Sequence, residues 1–458
     1  MFDMLKFQDR VAFIDKDTQY TYGEIADIYS NVFKDIKTRS LVGIIAGNNI
    51  ESLVCYIWAL NTKNVPIMLG ADMWGLLEIL KLYQPHFIWK PKDTEILGDI
   101  VTTFGEYTLI RNPNAKNCDL HNELALLLST SGSTGSQKFV RISYKNILEN
   151  TKSIVEYLNL THDDSTITSL PLHYSFGLSN INTHLFVGGR VLVSAESFIQ
   201  EKFWHLINQH KISTLAGVPY SFEMLDKIKI YQKELPYLRK LLQAGGKLSE
   251  KLHKKFAEYA KKHNKEFFVM YGQTEASPRM GYLPPKMALE KVGAMGVAIP
   301  RGAFMLLNEN GKKINEPNTA GELVYMGENV ALGYAFNRED LQKGDEFCGV
   351  LNTGDMAQFD ENRIFYIIGR KSRFVKVYGN RVSLDELEHS IKHAFGGLEC
   401  ACVGVDDKIT IFITKDLREE VKKFVVVASG LHFSAFTIRV IESLPKNAAG
   451  KIIYKALQ

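Results

Sequence analysis

The stretch Leu124-Ala125-Leu126-Leu127-Leu128-Ser129-Thr130-Ser131-Gly132-Ser133-Thr134-Gly135-Ser136-Gln137-Lys138-Phe139-Val140-Arg141-Ile142 decides how the rest of the chain is read. Its middle is a run of glycines and small hydroxyl residues that cannot fill a core, yet apolar runs fix it on both sides. Something outside the chain must therefore use it. Glycine lets backbone come close to a ligand, successive N–H groups in such a loop form an anion-binding concavity, and Lys138 adds a full positive charge. The natural ligand of that combination is a polyphosphate. A Walker A loop needs Gly, four residues and then Gly-Lys-Ser/Thr, so the order Gly132-Ser133-Thr134-Gly135-Ser136-Gln137-Lys138 is a phosphate loop of another kind. The competing reading, a flexible Ser/Gly linker, sits badly between two strand-like runs.

Outward from this loop, the chain of 458 residues exceeds what one core usually spans and should divide into lobes. Its 55 basic and 51 acidic residues leave a charge of +4, too near balance to suggest a nucleic-acid or membrane surface. No run approaches the roughly 18 apolar residues of a membrane span. The start, Met1-Phe2-Asp3-Met4-Leu5-Lys6, lacks the apolar segment of a signal peptide. A cytoplasmic protein is the expectation. The five cysteines, Cys55, Cys118, Cys348, Cys400 and Cys402, form no CxxC pair and have no His at zinc-ligand spacing, so they read as reduced thiols.

Before the loop, helical and strand-like segments alternate. Thr21 caps a helix through Ile25 and Phe33, Leu41–Ala46 reads as a buried strand, Asn49 to Leu60 as a helix, and 72 to 83 as another. After it, Ser143 caps a helix whose apolar positions Ile147, Ile154 and Leu158 share one face. Strands are expected at Ser165 to Leu170, Arg190 to Val193, Thr214 to a turn at Pro219, Leu241 to Gly246, and Glu266 to Tyr271. This alternation argues for an α/β domain with a largely parallel sheet, in which ligands gather at the carboxyl ends of strands. Three such ends are polar or glycine-rich: Thr130, Gly245-Gly246, and Tyr271-Gly272-Gln273-Thr274-Glu275. Beyond Pro284 the pieces become short, Gly-rich and strand-like, including Val292-Gly293 and Gly321 to Tyr325, so a β-rich subdomain is expected. A small mixed α+β domain follows Arg370, with a helix from Leu384 to His393 and another from about Glu419 to Ser429.

Taken together, Thr130 to Lys138, Tyr271-Gly272-Gln273-Thr274-Glu275, Thr353-Gly354-Asp355, Gly369-Arg370 with Lys376 and Gly379, and Pro445-Lys446 with Gly450-Lys451 resemble, in content and order, the motifs of the adenylate-forming superfamily. That superfamily contains acyl-CoA synthetases, luciferases and nonribosomal-peptide adenylation domains. The resemblance implies a large N-terminal AMP-binding domain over 1–370, made of α/β sheet subdomains plus the β-rich subdomain, and a small mobile C-terminal lid over 371–458.

The resemblance also implies roles. Thr130, Ser131, Gly132, Ser133, Thr134, Gly135 and Lys138 would hold the β- and γ-phosphates of ATP. Gly245, Gly246, Tyr271 and Gly272 would line the nucleotide and acyl site, with Tyr271 stacked on adenine. Thr274 would hydrogen-bond the α-phosphate, and Glu275 with Thr134 would hold Mg²⁺, a hard cation suited to oxygen ligands. Asp355 would accept from the ribose hydroxyls, with Arg370 beside it. Lys451 would bridge substrate carboxylate and phosphate during adenylation, and the backbone at Gly379 would lie against a thiol-bearing arm after the lid turns. The residue alone often means less: Thr-Gly-Asp is usually a turn, and a terminal lysine is usually solvated.

The implied reaction activates a carboxylic acid as an acyl-AMP with loss of pyrophosphate, then passes the acyl group to CoA or to the phosphopantetheine of an acyl carrier protein. A carboxylate nucleophile is already ionised, so such a site needs cations and N–H donors and no base. Pro171-Leu172-His173-Tyr174-Ser175-Phe176-Gly177 resembles the segment that sets His beside the acyl carboxylate; the alternative is that His173 and Phe176 pack a core loop. Residues 171 to 179 contain no Asp to pair with an α-ammonium group, which favours an acid without one over the alternative of a stand-alone amino-acid adenylation enzyme. A nucleotide-binding scaffold without catalysis is the rival of another class. Two positions depart from the superfamily's pattern: Ser372 at the hinge, and Tyr454 where a basic residue is common.

Overall fold

Long apolar runs that do not alternate with polar residues form strands covered on both faces. Leu41–Ala46 and Val65–Gly70 are buried at every position and lie parallel in register, Leu41 beside Val65 and Ala46 beside Gly70. The structure, a computed structural model, describes residues 2–16, 18–71, 75–116, 119–130, 138–377, 380–405, 407–446 and 452–457. The chain forms two units, the first holding most of the residues up to Ala303 together with Tyr325–Leu351, the second Phe304–Val324 and Asn352–Gln458.

Among the described residues the first unit carries two mixed sheets, each parallel at its centre and closed by antiparallel edge strands. An eight-stranded sheet contains Leu41–Ala46, Val65–Gly70, Phe87–Pro91 and Leu124–Ser129 as its parallel strands. A nine-stranded sheet contains Val11–Asp15, Arg190–Val193, Ser165–Ile167, Thr214–Gly217, Lys240–Gln243 and Glu266–Gly272 as its parallel strands. The helices start where their caps indicate. Thr21 and Glu24 form a reciprocal capping box, Asn49 accepts from the Ser52 N–H, and Ser143 and Asn146 form a second box.

The structure corrects several of the expected elements. The helix expected over 72 to 83 is Leu76–Tyr83 among the described residues, the strand at Ser165 stops at Ile167, and Val292-Gly293 lies outside any strand. Pro219 opens a helix, Pro219–Lys227, because a proline at the first helical position loses no hydrogen bond. Phe176 packs in the core as the alternative reading has it, but on a helix, Ser175–Phe186, buried almost all round. Leu178, Ile181 and Leu185 pack with Leu126 and Leu128, while Phe176 packs with Leu242, Ala244, Phe268 and Met270. A helix covered on every side carries no one-faced apolar stripe, so its sequence gives no helical period to read.

In the second unit the expected β-rich part is a five-stranded sheet, including the antiparallel pair Val350–Phe359 and Phe365–Arg370. After it, the strands Cys400–Val405, Lys408–Ile413 and Phe436–Val440 form a three-stranded sheet. Helices Leu384–Ala394 and Arg418–Ser429 cover it through Leu387, Ile391, Val421 and Val425, packed on Cys400, Cys402, Ile409 and Ile411. Among the described residues no helix is long and apolar enough to cross a membrane.

Candidate active site

The opening loop lies between two antiparallel strands, Leu124–Ser129 and Phe139–Ser143, with Ser129 opposite Phe139. This pairing delivers Thr130 and Lys138, both half-buried, to the carboxyl end of a parallel strand. Ser131, Gly132, Ser133, Thr134 and Gly135 lie outside the described residues, as do Gly379 and Lys451.

On its far side Phe139–Ser143 pairs with the short strand Gly333–Ala335, Tyr334 facing Val140. Buried Arg141 fixes that strand: its Nε donates to the Tyr334 carbonyl at 2.9 Å, and its guanidinium pairs with Glu346. Tyr334 is thereby set between two of the expected site residues. Lys138 Nζ is 3.9 Å from the Tyr334 ring centroid, and the Tyr334 hydroxyl donates to Glu275 Oε1 at 2.8 Å. An ammonium over an aromatic face is attracted by the ring quadrupole, so one side chain orients both the cation of the phosphate loop and the carboxylate.

Glu275 belongs to the turn that ends the strand Glu266–Gly272. Gly272 is required there, since a Cβ would come within 2.0 Å of the Pro278 carbonyl oxygen. The turn is anchored from behind by amides: Asn329 Nδ2 donates to the carbonyls of Ala276 at 2.7 Å and Arg279 at 2.9 Å, and Asn150 Nδ2 donates to the latter at 2.9 Å. The backbone N–H of Ala331 donates to the Glu275 carbonyl at 2.9 Å. Thr274, buried, has its Oγ1 3.1 Å from Ser175 Oγ, at the start of the buried helix that follows His173 and Tyr174.

His173 is half-buried two residues before that helix. Gly245 has a φ of +84°, and an added Cβ would lie 2.4 Å from the Tyr174 hydroxyl oxygen, so the Gly245 turn and Tyr174 are in contact. Gly246 follows, its carbonyl accepting from Gln243 Nε2 at 2.9 Å. Burial raises the Tyr174 pKa, against the opposing pull of the Arg279 charge, so this phenol stays protonated. Tyr271 is half-buried, its hydroxyl 3.5 Å from Gln273 Nε2.

The first unit therefore brings Lys138 and Glu275 together on Tyr334, with Thr130 next to the Ser129–Phe139 strand pair and Thr274 in the same turn as Glu275, and sets Tyr174 against Gly245. In the second unit, Asp355 faces Arg370 across the antiparallel pair, Oδ1 to Nε 2.7 Å, with Asp355 buried and the Arg370 side chain 56% exposed. A cavity of about 730 Å³ in the first unit, among Lys145, Arg301, Glu328 and Asp345, is lined by none of these expected residues. Its basic groups are already paired, Lys145 with Glu328 at 2.8 Å and Arg301 with Glu156 at 2.7 Å.

Of the two expected magnesium ligands, Glu275 lies among the described residues. Glu275 is a half-buried carboxylate whose one described side-chain partner is a hydroxyl, and no described ammonium or guanidinium pairs with it. Sequence reasoning missed Tyr334. Tyr334 lies 59 residues beyond Glu275 and becomes its neighbour only through sheet pairing, so no local pattern marks it.

The profile of a family described as AMP-binding enzyme matches residues 3–335. Among proteins of known activity, the chain is 28% identical over 336 residues to the 2-succinylbenzoate–CoA ligase of Listeria monocytogenes, covering 72% of this chain and 68% of that one. It is 29% identical over 351 residues to the oxalate–CoA ligase of Arabidopsis thaliana, covering 72% of this chain and 66% of that one. Among solved structures, the o-succinylbenzoate coenzyme A synthetase of Bacillus subtilis in complex with AMP superposes with a TM-score of 0.80 at 19% identity, covering 100% of this chain and 98% of that one. This last likeness establishes the same fold.

Proposed function

Because the chain belongs to the AMP-binding enzyme family, we propose that it is an ATP-dependent acid–thiol ligase. It activates a carboxylic acid as an acyl-AMP and transfers the acyl group to CoA or to a carrier-protein phosphopantetheine. The observation that carries this reading is the meeting of Lys138 and Glu275 on Tyr334, a loop cation and a carboxylate on one ring, with the buried Thr274 hydroxyl in the same turn as Glu275. CoA ligases among the relatives support the thiol acceptor.

In the first half-reaction an oxygen of the substrate carboxylate attacks the α-phosphorus of ATP. The bond from that phosphorus to the bridging oxygen breaks, and pyrophosphate leaves with the electron pair. Thr274 donates to an α-phosphate oxygen, and Lys138 with the loop from Thr130 neutralises the departing phosphates. Glu275, with Thr134, would hold magnesium, which supplies charge neutralisation to the phosphate oxygens when bound. His173 lies beside the acid, and Lys451 bridges its carboxylate and the phosphate. In the second half-reaction the thiol sulfur attacks the acyl carbon, AMP leaves and the thiol proton is released, with the backbone at Gly379 against the thiol-bearing arm. Asp355 and Arg370 hold the ribose. A boundary at Arg370, near Ser372, lets 371–458 turn between the two halves. The unpaired thiols of Cys55, Cys348, Cys400 and Cys402 support a cytoplasmic setting.

Acid-dependent exchange of pyrophosphate into ATP tests the proposal, with Lys451→Ala as its control. Exchange in the wild type, abolished in the variant while ATP still binds, is the expected outcome. Exchange with amino acids alone would move the chain to the carrier-loading class, and no exchange with any acid would leave only a nucleotide-binding scaffold.

A further inference from the structure

Arg279 is 1% exposed, so its guanidinium has left water. Its described partners are all uncharged. Nη1 donates to the Tyr157 hydroxyl at 3.1 Å and meets Met270 Sδ at 2.8 Å, and Nη2 donates to Ser179 Oγ at 3.3 Å. The Phe176 ring centroid lies 4.3 Å from the guanidinium carbon, and the buried Nε has no hydrogen-bond partner among the described residues. The contrast is Arg141, equally buried, which has the Glu346 carboxylate opposite its charge. A buried charge is costly to hold without an opposite one, and a buried donor left unmade adds to that cost.

The place of this charge relative to the expected chemistry supplies the reason for it. Ser175 and Ser179 are four positions apart on one helix and so share a face, separated by about one helical turn, ~5.4 Å. Ser175 Oγ is 3.1 Å from Thr274 Oγ1, and Ser179 Oγ accepts from Arg279. The guanidinium therefore stands about one helical turn along from the hydroxyl that contacts the α-phosphate in the ligase reading.

We infer that Arg279 is a specificity-determining residue that receives a second anionic group of the acid, and that the substrate class is a dicarboxylic acid whose far carboxylate lies about one helical turn from the reacting one. The inference rests on the ligase reading and narrows its substrate. The far carboxylate gives the buried guanidinium its counter-ion and accepts from the Arg279 Nε–H, unpartnered among the described residues, while the near one reacts at phosphorus. An uncharged acyl tail leaves Arg279 unpaired, so discrimination comes from the cost of an unmatched buried group.

The test is pyrophosphate exchange with matched pairs: succinate, glutarate and adipate against butyrate, valerate and hexanoate, and phthalate against benzoate. The wild type is expected to favour the diacid of at least one pair by roughly 100-fold in kcat/KM. Arg279→Leu should remove that preference, lowering kcat/KM for the diacid by a much larger factor than for the matched monoacid. Arg279→Lys, which keeps charge but loses the flat stack on Phe176, should retain part of the preference. A wild type that uses monoacids as well as diacids overturns the inference and leaves the ligase reading standing. So does an Arg279→Leu variant that falls equally on both. If no acid supports exchange, the ligase reading falls and this inference with it.

Discussion

The hydroxyl of Tyr334 donates to Glu275 Oε1 at 2.8 Å while the face of the same ring receives Lys138. Two groups of opposite charge are thus held by one neutral side chain. A direct Lys138–Glu275 ion pair would tie up the carboxylate and the ammonium against each other; the intervening phenol keeps each oriented and leaves both charges for the phosphates and metal of the proposed reaction.

Tyr334→Phe keeps the ring under Lys138 and removes only the hydrogen bond to Glu275. A hydrogen bond to a charged group contributes about 1.5–3 kcal/mol. The variant should therefore need roughly tenfold more magnesium for half-maximal pyrophosphate exchange, with melting temperature little changed. An unaltered magnesium dependence would mean that Glu275 is positioned by its backbone alone.

Gly245→Ala should be the more damaging of two neighbouring substitutions. At a φ of +84° a Cβ is strained, and here it would also lie 2.4 Å from the Tyr174 hydroxyl oxygen and 3.1 Å from Val218 Cγ1. A residue held in that region costs on the order of 1–3 kcal/mol. Gly246→Ala meets only Pro219, at 3.1 Å. The expected outcome is a raised KM for the acid in Gly245→Ala and a much smaller change in Gly246→Ala, both read by steady-state exchange. Equal effects would disconnect the Gly245 turn from the acid.

What the sequence disclosed and what it hid follow from one distinction. Features set by local chemistry are legible: the caps at Thr21 and Ser143, the helix beginning about Asn49, the buried apolar strands, and the turn from Tyr271 to Glu275. Features made by pairing of distant segments are not. Tyr334 reaches Glu275 only because Gly333–Ala335 pairs with Phe139–Ser143. Arg279 carries no local signal because arginine is ordinarily a surface residue, and its burial depends on Asn150, Asn329, Phe176 and Met270 closing round it from four separate segments.

Asp164 makes part of the stability of the first unit depend on acid. Its Oδ1 accepts from Ser213 Oγ at 3.1 Å, Arg239 Nη2 at 2.9 Å and Lys240 Nζ at 3.2 Å, and its Oδ2 from the Thr161 N–H at 3.0 Å. Burial works to raise its pKa, but the Thr161 N–H, Arg239 and Lys240 outweigh it and hold the carboxyl at about 2, below the ordinary 3.8. A carboxyl with a depressed folded pKa contributes its stability above the ordinary value and loses it as pH falls toward the folded one. The contribution, about 2 kcal/mol at neutral pH, should vanish as pH drops from about 4 to about 2. In Asp164→Asn, denaturant unfolding should show a loss of about 3 kcal/mol at neutral pH, together with a flatter decline in that acid range. An identical acid limb in wild type and variant would assign the acid sensitivity elsewhere.

Tyr454 stands where the superfamily commonly has a basic residue, and the second unit shows why a phenol is suited to the place. Its ring lies 3.7 Å from the Arg373 guanidinium and its hydroxyl donates to Glu388 Oε2 at 2.9 Å, while Arg373 pairs with Glu388 and with Asp385 at 2.7 Å. Asp385, itself partly exposed, also accepts from the Arg370 N–H at 3.0 Å, so Tyr454 is linked to the proposed hinge through one network of polar side chains. Tyr454→Phe keeps the stack and removes the bond to a buried carboxylate, a loss of about 1.5–3 kcal/mol for this unit. Tyr454→Arg, the replacement toward the common pattern, sets a second cation against Arg373 and should destabilise further, since like charges repel strongly where water is excluded. Limited proteolysis of the C-terminal segment and thermal melting should rank the three proteins wild type, Tyr454→Phe, Tyr454→Arg in falling order. If Tyr454→Arg proves the most stable, the Glu388 carboxylate prefers a second cation to the phenol, and the network does not account for the tyrosine.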